Sequence, residues 1–172
     1  GLGYITAEPL FADRLRGNFR LQSNSPCINA GNNAYVTVAT DLDGLPRIAG
    51  GTVDIGAYEF QSPASTISYA WLQQFGLPTD GSADFTDPDA DLLNTWQEWQ
   101  ADTVPTNSLS VLRVTSISPG PPVTVQFTSS SNRLYTLLYA TNLSGVPWIS
   151  VPGQSVTLGK TDGERTEVLQ GL

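Results

Sequence analysis

The pattern of apolar and polar residues divides the chain into three segments with different predicted structures. In residues 1–62, short β-like runs at 18–21 and 35–38 alternate with turns rich in Asn, Gly and Asp, which is typical of short β-strands joined by tight turns. Residues 63–108 carry apolar residues at helical spacing on both sides of a polar loop. From residue 109 onward the pattern carries no helical signal, and residues 123–128 alternate with a period of two, as expected of a half-buried strand.

Helices are predicted in the middle segment. Trp71 and Phe75 lie one helical turn apart and predict a short helix over 66–75, with Gly76 as the left-handed residue that ends it. A second helix is predicted over 93–101, directly after an acidic loop. The two helices therefore flank the loop on its two sides.

The third segment is predicted to form a small β-sandwich. Residues 123–128 alternate strictly between apolar and polar side chains, as in a strand with one buried face. Further strands are expected at 112–117, 134–140, 148–151 and 155–158. Because the chain stops soon after 167–170, we expect the sandwich to lack its last strand or to be trimmed there.

The charge is concentrated in the middle segment. The chain has 16 acidic and 8 basic residues, a net charge of −8. Residues 63–108 hold seven acidic residues and no Lys or Arg, against six acidic and four basic in 1–62 and three acidic and four basic in 109–172. No basic stripe is present for a nucleic acid, and no apolar run is long enough for membrane insertion. An acidic charge concentrated in one segment is typical of a cation site.

The side chains available for chemistry are restricted. The chain contains no His and one Cys, which excludes Ser-His-Asp triads and His-based zinc sites. Cys27 is expected to be a buried structural residue. Oxygen atoms remain as the abundant ligands, and these suit hard cations.

One string, DPDADLLNTWQE from Asp87 to Glu98, carries specific chemistry. Counting Asp87 as position 1, carboxylates stand at positions 1, 3, 5 and 12, which are Asp87, Asp89, Asp91 and Glu98. In such a loop the alternate acids converge, the carbonyl of Leu93 comes into reach, and Glu98 reaches back from the following helix. The spacing predicts one calcium site, with a solvated acidic loop as the alternative. Magnesium is less suited, since it retains more of its waters.

Neighbouring positions modify this prediction. Position 6 of such a loop is normally Gly with a positive φ, whereas this chain has Leu92. A left-handed Leu costs on the order of 1 kcal/mol, so weaker affinity is expected. Asp84 is expected to be a ligand or to support one. Asp80 fits a turn and a ligand equally well, and Asp102 is a further candidate.

The first segment resembles a known family. Its strings in order are PLFAD (9–13), FRLQSNSPCINAG (19–31), DLDGLPRI (41–48) and VDIGAYEF (53–60). In order and spacing they resemble the last coils of secreted bacterial right-handed parallel β-helix proteins. The resemblance implies a final strand near 54–60. An open solenoid end exposes a stacking edge, so two outcomes are open for this segment: it packs differently from a β-helix end, or it self-associates with another copy through that end.

The other two segments carry resemblances of their own. Residues 67–107 resemble the dockerin- or thrombospondin-type-3-like calcium repeats of secreted bacterial proteins, and 132–153 resemble their sandwich-like C-terminal modules. Together the resemblances imply a mainly β protein. It would consist of terminal β-helix coils (1–62), a short helix–calcium loop–helix connector (63–108) and a small β-sandwich (109–172).

These features lead to one functional expectation and two alternatives. The expectation is a non-enzymatic calcium-binding module of a secreted or cell-surface bacterial protein, in which calcium rigidifies the connector between two β domains. The first alternative is a carbohydrate-binding or adhesion module for extracellular polysaccharide, with Tyr139 and Trp148 as an exposed aromatic pair. The second is a fragment of a polysaccharide-degrading enzyme. As a glycoside hydrolase it would use a pair of carboxylates from Asp41, Asp43, Asp54 and Glu59; as a polysaccharide lyase it would use Arg47 as the base beside Asp41 and Asp43. Catalysis is the less expected outcome.

Overall fold

The computed structural model describes residues 5–120, 123–130, 132–140, 144, 147–150, 157–158 and 163–169. The chain divides into two compact units, Gly1–Trp99 and Gln100–Leu172. Most of the middle segment of the sequence, residues 63–99, thus lies in the same unit as the turn-rich first segment. The three-segment division remains an interpretation of the sequence pattern.

Short strands and a few helical turns make up the described part of the chain. The helices are α1 (Tyr69–Gln74) and α2 (Thr95–Ala101). The strands are β1 (Phe11–Asp13), β2 (Asn18–Leu21), β3 (Val114–Ser118), β4 (Val123–Ser129), β5 (Leu134–Tyr135), β6 (Leu138–Tyr139), β7 (Ile149–Ser150), β8 (Thr157–Leu158) and β9 (Gly163–Leu169). The fold has few helices and small sheets.

The strand pairs are antiparallel throughout the described residues. β1 pairs with β2, β4 lies between β3 and β9, β5 pairs with β8, and β6 pairs with β7. Neither a parallel β-helix nor a complete sandwich is established by these pairs. The strand implied near 54–60 is not formed. Residues 55–58 make bends, because the backbone N–H groups of Asp54, Glu59 and Phe60 donate to side-chain carboxylates instead of to a neighbouring strand.

Two further strand predictions also differ from the structure. The strand predicted at 35–38 is wrong, since Asn33–Tyr35 form a 3₁₀ turn and the chain continues without a strand partner. No strand was predicted over 163–169, where the structure forms one. That strand, β9, pairs with all seven residues of β4, from Val123 opposite Leu169 to Ser129 opposite Gly163.

The core of the first unit joins α1 to the turn-rich segment. Leu21, Cys27, Ile28 and Tyr69 form a buried cluster, and the Tyr69 N–H donates to the Ile28 carbonyl at 3.1 Å. Each such apolar side chain stabilises the fold by about 1.5–3 kcal/mol. Cys27 is buried, as predicted, and its burial raises the pKa of the thiol.

α1 is shorter than predicted but ends as predicted. The helix covers Tyr69–Gln74, within the expected 66–75. Gly76 has φ 69°, and the Leu77 N–H donates to the Leu72 carbonyl at 2.9 Å, as in a glycine-terminated helix. This ending directs the chain into the acidic loop.

The second unit has its own small core on one face of β4. Val125 and Phe127 are buried, and the half-buried side chains packed against them include Val123, Tyr135 and Tyr139. The alternation predicted for 123–128 is therefore confirmed on the face that carries Val125 and Phe127.

Candidate metal centre

The acidic loop is built around the side chain of Asp87. Its Oδ1 accepts hydrogen bonds from the N–H groups of Ala90 (2.8 Å) and Asp91 (3.3 Å), and its Oδ2 accepts from Leu92 at 3.0 Å. A short Asp side chain that accepts local N–H groups stabilises a tight turn. The chain therefore wraps around the first carboxylate of the motif.

This wrapping brings three carboxylates together. Asp87, Asp89 and Asp91 each place one oxygen within 4.8 Å of the others, so the group could hold a metal ion. Both oxygens of Asp89 and the Oδ2 of Asp91 are buried without a hydrogen-bond donor from any described residue. The other Asp91 oxygen accepts the Leu93 N–H at 2.8 Å. Like charges held this close repel one another unless a cation lies between them.

The backbone of the loop has the predicted left-handed residue. Leu92 has φ 81°, the conformation that normally requires Gly at this position. Its side chain is 90% exposed, so packing within the described residues does not compensate the strain. A second left-handed residue, Ala90 at φ 63°, was not anticipated, because the motif does not mark that position.

Helix α2 begins directly after the loop and is anchored to it. Asn94 and Gln97 form a reciprocal capping box, in which each backbone N–H donates to the other side chain at 2.9 Å. The Thr95 N–H and the Trp96 N–H donate to the carbonyls of Thr86 and Asp84, both at 2.9 Å. The first turn of α2 is thereby fixed to the segment that leads into the loop.

The structure brings together three of the six predicted metal ligands. Glu98 is fully buried on α2 and does not belong to the group formed by the three Asp residues. Leu93 lies half-buried between that group and the helix. Asp84 is buried, and its Oδ1 accepts a hydrogen bond from the Ser65 hydroxyl at 2.8 Å. It therefore braces the entry to the loop.

The two remaining candidates have local structural roles. Asp80 accepts hydrogen bonds from the N–H and hydroxyl of Ser82, which lower the pKa of its carboxyl, so it forms a turn. Asp102, at the end of α2, is left-handed with φ 59°. It accepts hydrogen bonds from Ser130 and from Asn132 (3.0 Å). Both contacts lie in the second unit.

A second group of acidic residues was read from the sequence only as turn residues or catalytic candidates. Asp41, Asp54 and Glu59 are all buried, and Glu59 forms a 2.7 Å ion pair with Arg47. Arg47 also donates to the carbonyl of Gly56 at 2.7 Å. The guanidinium proposed as a catalytic group therefore holds turns together.

Each of the six oxygens in this group accepts a hydrogen bond. Backbone donors serve Asp41 and Asp54 on both oxygens, and Glu59 accepts from two backbone N–H groups besides Arg47. Burial raises the pKa of Asp54 to about 6, against the lowering effect of its N–H donors. Burial would also raise the pKa of Asp41, but three N–H donors outweigh it and lower that pKa. The sequence signal that could have identified this group is the recurrence of acidic residues within 41–59.

The aromatic pair suggested for carbohydrate binding does not form a shared exposed platform. Trp148 is 60% exposed, but Tyr139 is half-buried and packs against Val125 and Phe127. The burial of one partner argues against this particular surface.

Comparisons with family models, curated proteins and solved structures find no match to this chain. Within the described residues, no helix has the length and apolar character needed to cross a membrane. The assignment of function therefore rests on the chemistry of the loop.

Proposed function

We propose that this chain is a non-enzymatic structural module in which the loop from Asp87 to Glu98 binds one calcium ion. The observation that carries the proposal is the missing hydrogen bonding of the Asp89 carboxylate within the described part of the chain. Both of its oxygens are buried beside two other carboxylates and receive no hydrogen bond from the described residues. A buried, unpaired carboxylate is costly, and a cation among the three would remove that cost.

Calcium is the ion that the donor set favours. The ligands offered are carboxylate oxygens on one loop, and Ca²⁺ takes six to eight oxygens in adaptable geometry. No His is present in the sequence, and Cys27 is buried in the core, so softer metals lack their preferred ligands. We propose the Leu93 carbonyl and Glu98 as additional ligands, with Asp84 holding the entry to the loop in place.

The proposed role of the ion is to fix α2 relative to the loop. α2 follows the three acids after three residues, and its first turn is already tied to Thr86 and Asp84. Binding would add an electrostatic link between the loop and the helix. In this proposal the chain belongs to a secreted or cell-surface bacterial protein, and calcium, which is abundant outside the cell, rigidifies its connector. The same proposal includes residues 1–62 as the terminal coils of a β-helix and residues 109–172 as a small β-sandwich module.

Calorimetric titration of chelator-treated protein with calcium tests the proposal. We expect saturable binding at one site and, at a hundredfold excess over the dissociation constant, about 2.7 kcal/mol of added stability. Asp89→Asn should abolish binding and Glu98→Gln should weaken it. Asp80→Asn is the matched control, because Asp80 is an acid of the same segment that lies outside the group of three Asp residues and accepts hydrogen bonds from Ser82. Absence of saturable binding at millimolar calcium, or an equal loss in Asp80→Asn, would refute the proposal.

A further inference from the structure

A cavity of about 260 Å³ lies in the first unit, in a different set of residues from the acidic loop. One side is the segment 31–38, and the other side is formed by residues further along the chain. The lining residues are Gly31, Asn32, Tyr35, Val36, Thr37, Val38, Arg47, Val53 and Asp54. The cavity is open to solvent along the exposed side chains of the 32–38 segment.

The segment that forms one wall is anchored at its start. The side chain of Asn33 accepts the Val53 N–H and donates to the Gly51 carbonyl, both at 2.8 Å. The Gly31 N–H donates to the Val53 carbonyl at 2.8 Å, and a Cβ on Gly31 would lie 2.7 Å from that same carbonyl oxygen. Glycine at position 31 therefore permits the close approach that shapes the cavity.

The lining combines an apolar wall with polar groups that are free to bind a ligand. Val36 and Val53 provide the sheltered apolar surface, and Tyr35 stands at the edge with 82% of its surface exposed. The Tyr35 hydroxyl, the Thr37 hydroxyl and the amide nitrogen of Asn32 are not hydrogen-bonded to any described residue. Such a surface suits a ligand that has an apolar face and several hydroxyl groups.

The charges that line the cavity are already compensated. Arg47 is paired with Glu59 at 2.7 Å, and the Asp54 oxygens accept the N–H groups of Asn29 (2.7 Å) and Phe60 (2.6 Å). A charged ligand would therefore meet no unpaired partner of opposite sign. The chemistry favours a neutral ligand.

From this combination we infer that the cavity binds a single neutral pyranose ring. Its volume lies below the roughly 300 Å³ at which pockets for drug-sized ligands begin, so it suits one sugar ring. The C–H face of a pyranose can stack on Tyr35, because an aromatic ring offers a flat apolar face to it. The ring hydroxyls can then bond to Thr37 and Asn32.

Titration of ¹⁵N-labelled protein with monosaccharides, followed by NMR, tests this inference. The probes are methyl glycosides of glucose, galactose, mannose and xylose, with galacturonate as the anionic comparison. We expect saturable shifts of residues 31–38 with at least one neutral sugar, and a loss of affinity of about tenfold or more in Tyr35→Ala. Phe85→Ala is the matched control, since Phe85 is also an exposed aromatic residue of the first unit but does not line the cavity.

The titration is performed in chelator and repeated in calcium, so that sugar binding and metal binding are measured separately. Saturable shifts confined to the cavity in chelator support the inference whether or not the loop binds calcium. Absence of saturation with every neutral sugar at tens of millimolar overturns it. Equal losses in Tyr35→Ala and Phe85→Ala, or tighter binding of galacturonate than of any neutral sugar, also overturn it.

Discussion

Two groups of three acidic residues in the first unit differ in how their oxygens are satisfied. In the group of Asp41, Asp54 and Glu59, each oxygen accepts a hydrogen bond, from a backbone N–H or from Arg47. In the group of Asp87, Asp89 and Asp91, three oxygens are buried without a donor among the described residues. The first group is thus complete without a ligand, whereas the second is suited to an added cation.

The difference shows that a cluster of acids does not by itself identify a metal site. The carboxylates of the group around Arg47 accept hydrogen bonds from backbone N–H groups that lack a strand partner. They thus take the place of the carbonyl acceptors that a neighbouring strand would provide. In the loop, Asp87 has the same function for three N–H groups, but Asp89 has no such partner. The number of unsatisfied oxygens therefore distinguishes the two groups better than their charge does.

The largest expected loss of stability comes from disrupting the group of Asp41, Asp54 and Glu59. Glu59→Ala removes the partner of a largely buried Arg47 and the acceptor of two backbone N–H groups. Loss of one member of a buried ion pair typically costs about 3–5 kcal/mol. We expect chemical denaturation to show this loss equally in calcium and in chelator. Arg16→Ala, in an exposed ion pair, should cost less than about 1 kcal/mol; similar losses in the two variants would contradict the comparison.

The second largest effect is that of Asp89→Asn on the free energy of unfolding, and its sign should differ between chelator and calcium. In chelator, Asp89→Asn removes a buried unpaired charge, so we expect the free energy of unfolding to rise by on the order of 1 kcal/mol. At a hundredfold excess of calcium over its dissociation constant, the same variant should lack the roughly 2.7 kcal/mol gained by the wild type. Denaturant titrations in the two buffers measure both differences.

Asp54→Asn is the comparison for Asp89→Asn, because its effect on stability should have the same sign with and without calcium. Both Asp54 oxygens accept backbone N–H groups, and an amide nitrogen in place of one oxygen would face a donor. The variant should therefore be less stable than the wild type in both buffers. A loss of stability for Asp89→Asn in chelator would show that Asp89 is satisfied in some other way, and the distinction between the two groups would fail.

The sequence predicted the acidic loop better than the group of Asp41, Asp54 and Glu59, because the structure of the loop depends on the local spacing of its residues. Alternate acids in a tight loop converge whatever surrounds them, and the left-handed conformation of Leu92 follows from its position in the motif. The roles of Asp41, Asp54 and Glu59 depend on turns that meet only in the folded chain. Their spacing therefore resembled that of isolated turns or catalytic pairs.

The same distinction explains the outcome for the strands. The apolar alternation in 123–128 reflects a face buried within the second unit, and it predicted β4. The run at 35–38 has strand-forming residues but no neighbouring strand, since Asn33 directs the chain along the edge of the cavity. β9 was missed because its existence depends on pairing with the distant β4.

A smaller effect should appear in the pH dependence of stability. Asp54 has a pKa of about 6 in the folded protein and about 3.9 in an unfolded chain. The folded state therefore binds this proton more tightly, so its stabilising contribution is present below about pH 4 and is lost as the pH rises through 6. We expect a loss of about 2 kcal/mol over this interval, because each pKa unit between the folded and unfolded values corresponds to about 1.4 kcal/mol.

The measurement is the difference in unfolding free energy between the wild type and Asp54→Asn, taken from pH 4 to 7 in chelator. The difference cancels the titration of the other acids, including Asp41, whose lowered pKa makes it stabilising above about pH 4. The wild type should lose stability relative to the variant as the pH rises. A pH-independent difference would show that Asp54 does not titrate in this interval.

The smallest expected effect comes from removing the strain in the metal loop. Leu92 is left-handed and its side chain is 90% exposed, so Leu92→Gly should raise stability by up to about 1 kcal/mol. Calcium should also bind up to about fivefold more tightly if the strain is greater in the bound loop. Leu42→Gly, at an exposed Leu without positive φ, should instead lower stability, because glycine increases the entropy of the unfolded chain. If both variants lose stability equally in denaturant titrations, the left-handed conformation is not strained, and Leu92 is as well suited to this loop as glycine.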